Sequence, residues 1–248
     1  MKKKKALWIV LIILAAIIFC LFSQFTFMVK AKRVLMNTYF ISDHDTIGAD
    51  LSKYQGNVDM DRLAEQGLSF VYVKATEGCE ITDTCFATNW ENAIESPLEV
   101  GAYHFFSFDS DGTEQAYHYI ETVGDLDGCL IPVVDVEFYA DKEQNPPEKE
   151  DVVRELGEYL SVLEEEYGVK PMIYAQKDIY KKYLKDDFSD YPRWVRSIYY
   201  PAFFEAGRDW VLWQYCDTIS LDGYDGDESN IDMNVLNKQY RLDTLIVD

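Results

Sequence analysis

The stretch Cys129-Leu-Ile-Pro-Val-Val-Asp-Val-Glu137 decides how this chain is read. Leu130 to Val136 is dominated by apolar and β-branched residues, the composition of a buried strand. The run then ends on acids. Asp135 and Glu137 are two residues apart, so in a strand both carboxylates project from one face, about 7 Å apart along the backbone. Unpaired charge is costly to desolvate, so paired acids at the end of a buried strand need a reason. A helix cap or loop acid is the plain one. A catalytic acid pair at the C-terminal mouth of a β/α sheet or barrel is the sharper one, and the rest of the chain favours it.

Working outward, short strands alternate with helices. Strands are expected at 46–52, 70–76, 99–106, 170–175, 193–199, 210–215 and 230–236, around the central one. Helices are expected at 59–66, 86–95, 113–123, 148–167 and 177–184. In the long helix, Val152, Leu156, Tyr159, Leu160 and Leu163 form one apolar face. The order predicts one α/β domain with a parallel sheet, its helices thinning toward the C-terminus. Polar residues collect after strands: Asp50, Lys74 with Glu77, His104, then Asp135 and Glu137. Barrel enzymes place their chemistry there. A doubly wound sheet also gathers ligands at strand ends. No strand-linked GxGxxG or GxxxxGKS/T occurs, so a nucleotide fold has little support.

The N-terminus is a separate unit. Lys2 to Lys5 precede an apolar run, and residues 6–29 are long enough to span a bilayer. The leading basic cluster favours a cytoplasmic N-terminus; Lys30, Lys32 and Arg33 weaken that vote. An uncleaved signal anchor and a cleaved signal peptide both stay open, and the lack of a small-x-small site favours the anchor. Either way the body lies outside the membrane. The expected organisation is a basic tip and membrane segment at 1–33, a linker at 34–45, and a barrel at 46–248.

Residues 34–248 hold 16 basic and 44 acidic residues, a formal charge of −28, so nucleic acid is excluded as a partner. Cys79, Cys85, Cys129 and Cys216 lie in the exported part. Cys79 with Cys85 is a plausible disulfide, against free thiols as the plain alternative. Scarce histidine argues against a Cys/His zinc site, and no cofactor is expected. A monomeric catalytic domain is expected.

Two carboxyls flanking a cleft are the minimum for hydrolysing a glycosidic bond: one protonated to serve the leaving oxygen, one ionised. Asp135 and Glu137 could be that pair. Asp50 and Asp232, on the first and last strands, would join them if a barrel closes. Tyr103, Tyr174, Trp194, Trp213 and Tyr215 lie on or at the ends of strands, where rings suit pyranose faces; core packing is the alternative. His104 is either a core histidine or a sugar contact. Lys74 and Glu77 are either a salt bridge or substrate contacts.

These residues resemble a known family. Asp50-Leu-Ser-Lys-Tyr-Gln-Gly56, Lys74-Ala-Thr-Glu-Gly78, Gly101-Ala-Tyr-His-Phe-Phe106, Asp135-Val-Glu137, Trp213-Gln-Tyr215 and Ile231-Asp-Met-Asn234 are similar, in order, to the signatures of glycoside hydrolase family 25 lysozymes. Each motif is weak alone; six in register are specific. The resemblance covers about residues 46–240. It implies an irregular TIM-like (β/α) barrel with reduced helices. It also implies an N-acetylmuramidase that cuts the β-1,4 bond between N-acetylmuramic acid and N-acetylglucosamine in peptidoglycan, with retention. By the resemblance Glu137 is the general acid. Asp135 orients the 2-acetamido group or serves as second catalytic carboxylate, and Asp50 and Asp232 are the other cleft acids. Whether a carboxylate or the acetamido oxygen attacks stays open. Tyr54, Lys74, Glu77, Tyr103, His104, Tyr174, Trp194, Trp213 and Tyr215 are the expected substrate contacts. Arg196 departs from the family, which usually has a small residue there; it is expected to narrow a subsite or pair with a cleft acid. The alternatives are a non-catalytic glycan-binding barrel and a membrane-anchored wall scaffold.

Overall fold

A computed structural model describes residues 2–31 and 36–248. Lys32 and Arg33 of the expected basic run, and the first two residues of the expected linker, lie outside the described residues. Helix α1 (Lys2–Lys30) contains Val10–Val29, long and apolar enough to cross a membrane. From Val10 to Phe25 its side chains are exposed, whereas Val29 near its end is buried.

After a 3-10 turn at Met36–Phe40, the chain builds a barrel. In order come β1 (Ile47–Leu51), α2 (Met60–Glu65), β2 (Phe70–Glu77), β3 (Ile81–Thr82), α3 (Phe86–Ile94), β4 (Glu99–Phe105) and α4 (Gly112–Val123). Then follow β5 (Val133–Val136), α5 (Lys149–Tyr167), β6 (Met172–Gln176), α6 (Lys177–Ile179), β7 (Arg193–Arg196), α7 (Phe203–Ala206), β8 (Leu212–Ile219) and β9 (Ile231–Leu236). Strand order is β1-β9-β8-β7-β6-β5-β4-β2-β3, and a parallel β1–β2 pairing closes the ring. The short β3 is a hairpin appendage on β2, outside the ring.

The expected parallel sheet holds for β1, β2 and β4 to β8 but not for β9, which runs antiparallel to both its neighbours. A strand joined to its predecessor by a hairpin needs no crossover helix, and reversal is what such a link produces. The reversal also puts Asp232 level with Asp50. A parallel last strand would have carried it to the other end.

Period-2 alternation then sorts every strand. Residues facing the helices form the core, and the five apolar positions read on α5 are all buried. Inside, Phe70, Tyr72 and Trp194 fill the barrel below the acids: Tyr72 and Trp194 lie 5.1 Å apart between ring centroids, and the Tyr72 hydroxyl donates to the Ile131 carbonyl at 3.2 Å. Gly101 makes room, since a Cβ there would come within 2.3 Å of the Tyr72 ring.

Helices thin after β6, as expected. Past α6 a single π turn (Tyr180–Leu184) remains, and α7 has only four residues. The flank of β7 and β8 is covered partly by the segment expected to be a linker. Asn37 is buried there, its amide donating to the carbonyls of Ser197 at 2.7 Å and Tyr215 at 3.0 Å.

Candidate active site

The C-terminal ends of the parallel strands open into a cavity of about 270 Å³. Asp50 of β1, Asp135 of β5, Asp232 of β9 and Glu137, just past β5, all line it. So do Tyr54, Lys74, Tyr103, Tyr174 and Trp194. Acids far apart in the chain therefore meet in one cleft because the barrel closes.

The cleft acids are held by amides. Gln214 reaches from β8 and donates through Nε2 to Asp50 Oδ2 at 3.0 Å and Asp232 Oδ2 at 3.2 Å. Its Oε1 accepts from the Tyr174 hydroxyl at 3.0 Å, which fixes which way the amide points. Asn234 donates from Nδ2 to Asp50 Oδ2 at 2.7 Å. Gln176 donates to Glu137 Oε1 at 2.7 Å.

Burial pushes the Asp50 carboxyl up to about 6, although the Asn234 and Gln214 donors oppose it by favouring the ionised form. Burial, with the Asp50 charge beside it, pushes Asp232 up to about 8. Asp135 is driven well above the usual carboxylate range by burial, then by repulsion from Glu137 and Asp50. Its Oδ1 is buried without a hydrogen-bond partner. At neutral pH Asp232 favours its protonated form while Asp50 is largely ionised, and Asp135 is biased toward keeping its proton. Glu137 is the acid of the β5 pair that lies toward the mouth, partly exposed. The cleft thus combines proton-bearing and ionised carboxyls within one small cavity, the condition for acid-assisted cleavage of an acetal.

Four expected contacts fall elsewhere. His104 sits next to Tyr103 on β4, and adjacent strand residues face opposite ways. Tyr103 faces the cavity, so His104 faces the helices. It is fully buried, stacked on Tyr159 at 4.9 Å between ring centroids, and bonded to Thr76 at 2.7 Å and Gln115 at 3.1 Å. Trp213 and Tyr215 flank the inward Gln214 and so face outward. Both are buried beneath the Ser197 loop, and the Trp213 indole donates to the Ser197 carbonyl at 2.9 Å. Glu77 pairs with Lys74 at 2.7 Å and lines a neighbouring depression with Cys79 and Tyr139, so the salt-bridge reading of this pair holds. Lys74 itself stays in the cleft.

Arg196 pairs with Asp217 at 3.5 Å instead of a cleft acid. Cys79 and Cys85 are free thiols, the plain alternative to the plausible disulfide; the Cys79 thiol lies 3.8 Å from the Asp111 carbonyl. Sequence reasoning did not assign Gln214, Asn234, Gln176 and Phe105 to the site. The signal for the first two was available: a polar residue inside an apolar strand, and a polar residue two places after Asp232.

The family model for glycosyl hydrolases family 25 matches residues 49–224, most of the barrel and three of the four acids. The chain belongs to glycosyl hydrolases family 25. A family 25 glycosyl hydrolase from Bacillus anthracis is similar in structure, with a TM-score of 0.74 and 42% identity, covering 80% of this chain and 93% of that one. The uncharacterized protein YegX of Escherichia coli K12 is 32% identical over 195 residues, 77% of this chain and 69% of its own. The autolytic lysozyme of Clostridium acetobutylicum is 29% identical over 179 residues, 72% of this family 25 chain and 53% of the relative.

Proposed function

We propose that this family 25 hydrolase is a muramidase, cutting the β-1,4 bond between N-acetylmuramic acid and N-acetylglucosamine in peptidoglycan. The observation that carries the reading is the convergence of Asp50, Asp135, Glu137 and Asp232 on one cavity. Similarity to a relative named as an autolytic lysozyme supports the substrate class.

Glu137 is the general acid. It gives its proton to the glycosidic oxygen as the bond from that oxygen to the anomeric carbon breaks. Ionised Asp50 stabilises the positive charge that develops on the ring. Asp135, biased by burial toward keeping its proton and with Oδ1 unpartnered among the described residues, is a donor suited to the 2-acetamido carbonyl. Tyr103 and Tyr174, which line the cavity, give ring faces to the sugar. Water then adds its hydroxyl at the anomeric carbon and returns a proton to Glu137. Helix α1 is a retained signal anchor, placing the barrel on the outer side of the membrane.

Digestion of purified peptidoglycan tests this. New reducing ends on N-acetylmuramic acid are expected, together with loss of turnover by about 10²–10⁴-fold in Glu137→Gln. Glucosamine ends, or an active Glu137→Gln, would refute it.

A further inference from the structure

We propose that an aromatic patch of Tyr39, Phe40, Tyr200, Phe203 and Phe204 seats on the outer interface of the bilayer that α1 enters, holding the mouth of the cleft at the membrane surface. The proposal rests on α1 being a retained anchor.

The five rings are unusually bare for a water-facing surface: Tyr39 is 83% exposed, Phe204 67%, Phe40 50%, Phe203 49% and Tyr200 37%. Phe40, Phe203 and Phe204 form one cluster, with Phe40 and Phe203 at 6.0 Å between centroids and Phe203 and Phe204 at 4.2 Å, and Tyr39 and Tyr200 lie on the same two segments. The two segments that supply them, residues 34–42 and 197–204, contain no charged residue in a body of formal charge −28. Water alone would not select against charge there. A lipid interface does, and it favours amphipathic and aromatic rings.

Covalent reach names the occupant. Only five Cα steps separate Ala31, just past α1, from Met36, so the two are at most about 19 Å apart. Whatever part of the barrel carries Met36–Phe40 must lie near the membrane, and that part is the patch. Asn37 pins the segment to Ser197, just past the downstream end of β7, and to Tyr215, level with it on β8. The end of β7 lies on the mouth side of the barrel, the side that holds the acids. The membrane therefore meets the cleft rim, and the glycan within reach is the layer next to the bilayer.

The test uses the full chain in phosphatidylcholine–phosphatidylglycerol vesicles containing brominated lipid, which quenches tryptophan on contact. Trp8 lies within α1, and the quenching lost in Trp8→Phe isolates its signal from that of the four barrel tryptophans. Phe204→Trp adds a reporter in the patch. Tyr117→Trp adds one on exposed α4, on another flank of the barrel. The expected result is quenching of Trp8 and at least twofold stronger quenching of the signal added at 204 than at 117. Equal quenching at 204 and 117 overturns the docking while leaving the anchor intact. A blue-shifted but unquenched signal at 204 also overturns it, because a second copy of the chain then covers the patch. An unquenched Trp8 shows that α1 is not in the bilayer, and the proposal falls with it. Wall digestion is unaffected by any of these results and judges the muramidase reading separately.

Discussion

The Trp194 indole donates to Asn234 Oδ1 at 2.9 Å, and this contact orients an active-site acid. Indole nitrogen can only donate, so the Asn234 carbonyl must face it and the amide nitrogen must point the other way. That nitrogen meets Asp50 Oδ2 at 2.7 Å. Trp194 thus holds Asp50 toward its ionised form.

Trp194→Phe keeps the ring and removes the donor. Asn234 is then free to turn, and Asp50 loses a bond that favours its anion, so its pKa rises. A loss of about tenfold in kcat/KM is expected, as is an upward shift of the acid limb of the pH profile. Steady-state rates on soluble peptidoglycan fragments across pH would check both. An unmoved acid limb would mean that Asn234 holds its orientation without Trp194.

Asp232→Asn should stabilise the fold near neutrality. The group binds its proton more tightly folded than unfolded, so its contribution is whole below about pH 4 and is lost as pH rises toward 8. Removing the charge should raise stability by about 1–3 kcal/mol at pH 8 and little at pH 4. Denaturant melts at the two pH values measure this. Activity should fall, since the site keeps a strained acid for a purpose.

His104 predicts the opposite slope. Burial pushes its imidazole down to about 3, so protonation favours the unfolded chain and stability drops as pH falls from about 6.5 toward 3. Gln115 Oε1 accepts from the ring at Nε2, which leaves Nδ1 to accept from the Thr76 hydroxyl. His104→Leu should cost about 2–4 kcal/mol in melts yet leave the pH profile of kcat/KM unchanged in shape. A selective rise in KM would instead restore the sugar-contact reading.

How much of this was legible beforehand can be judged residue by residue. The four acids were readable because charge at the end of an apolar strand has few explanations, and spaced motifs reinforced each other. The α5 face was readable because its period is helical throughout. His104, Trp213 and Tyr215 were expected in the cleft from ring chemistry and the family resemblance, although alternation forbids Tyr103 and His104 from facing one cavity. The direction of β9 was hidden. Strand composition does not encode polarity, and only the hairpin link and its pairing settle it. The docking of Asn37 was equally hidden, because it depends on a bare flank created by helices missing far downstream.

Gly226→Ala tests how the cleft wall is built. A Cβ there would come within 2.2 Å of the Tyr54 carbonyl and 2.4 Å of the Gln55 carbonyl carbon. The β8–β9 connection must move off the Tyr54 turn, at a cost of about 1–3 kcal/mol. KM should rise more than kcat falls, because Tyr54 borders the cleft while the acids sit on strands. Melting curves alongside Michaelis plots separate the two effects.

The reversed β9 has one more consequence. It turns what would be a crossover into a hairpin at the rim, where Gly226 and Glu228 amides bond the carbonyls of Gln55 and Tyr54 at 2.9 and 3.0 Å. Both stems of that hairpin are locked into the ring, and its tip is tied to the turn after β1, with Val58 bridging Tyr224 and the Asn57 amide donating to Asp225 at 2.8 Å. Residues added at the tip would extend one bank of the groove without disturbing strand closure. Lineages on this scaffold could therefore change how long a polymer they grip by editing a single loop.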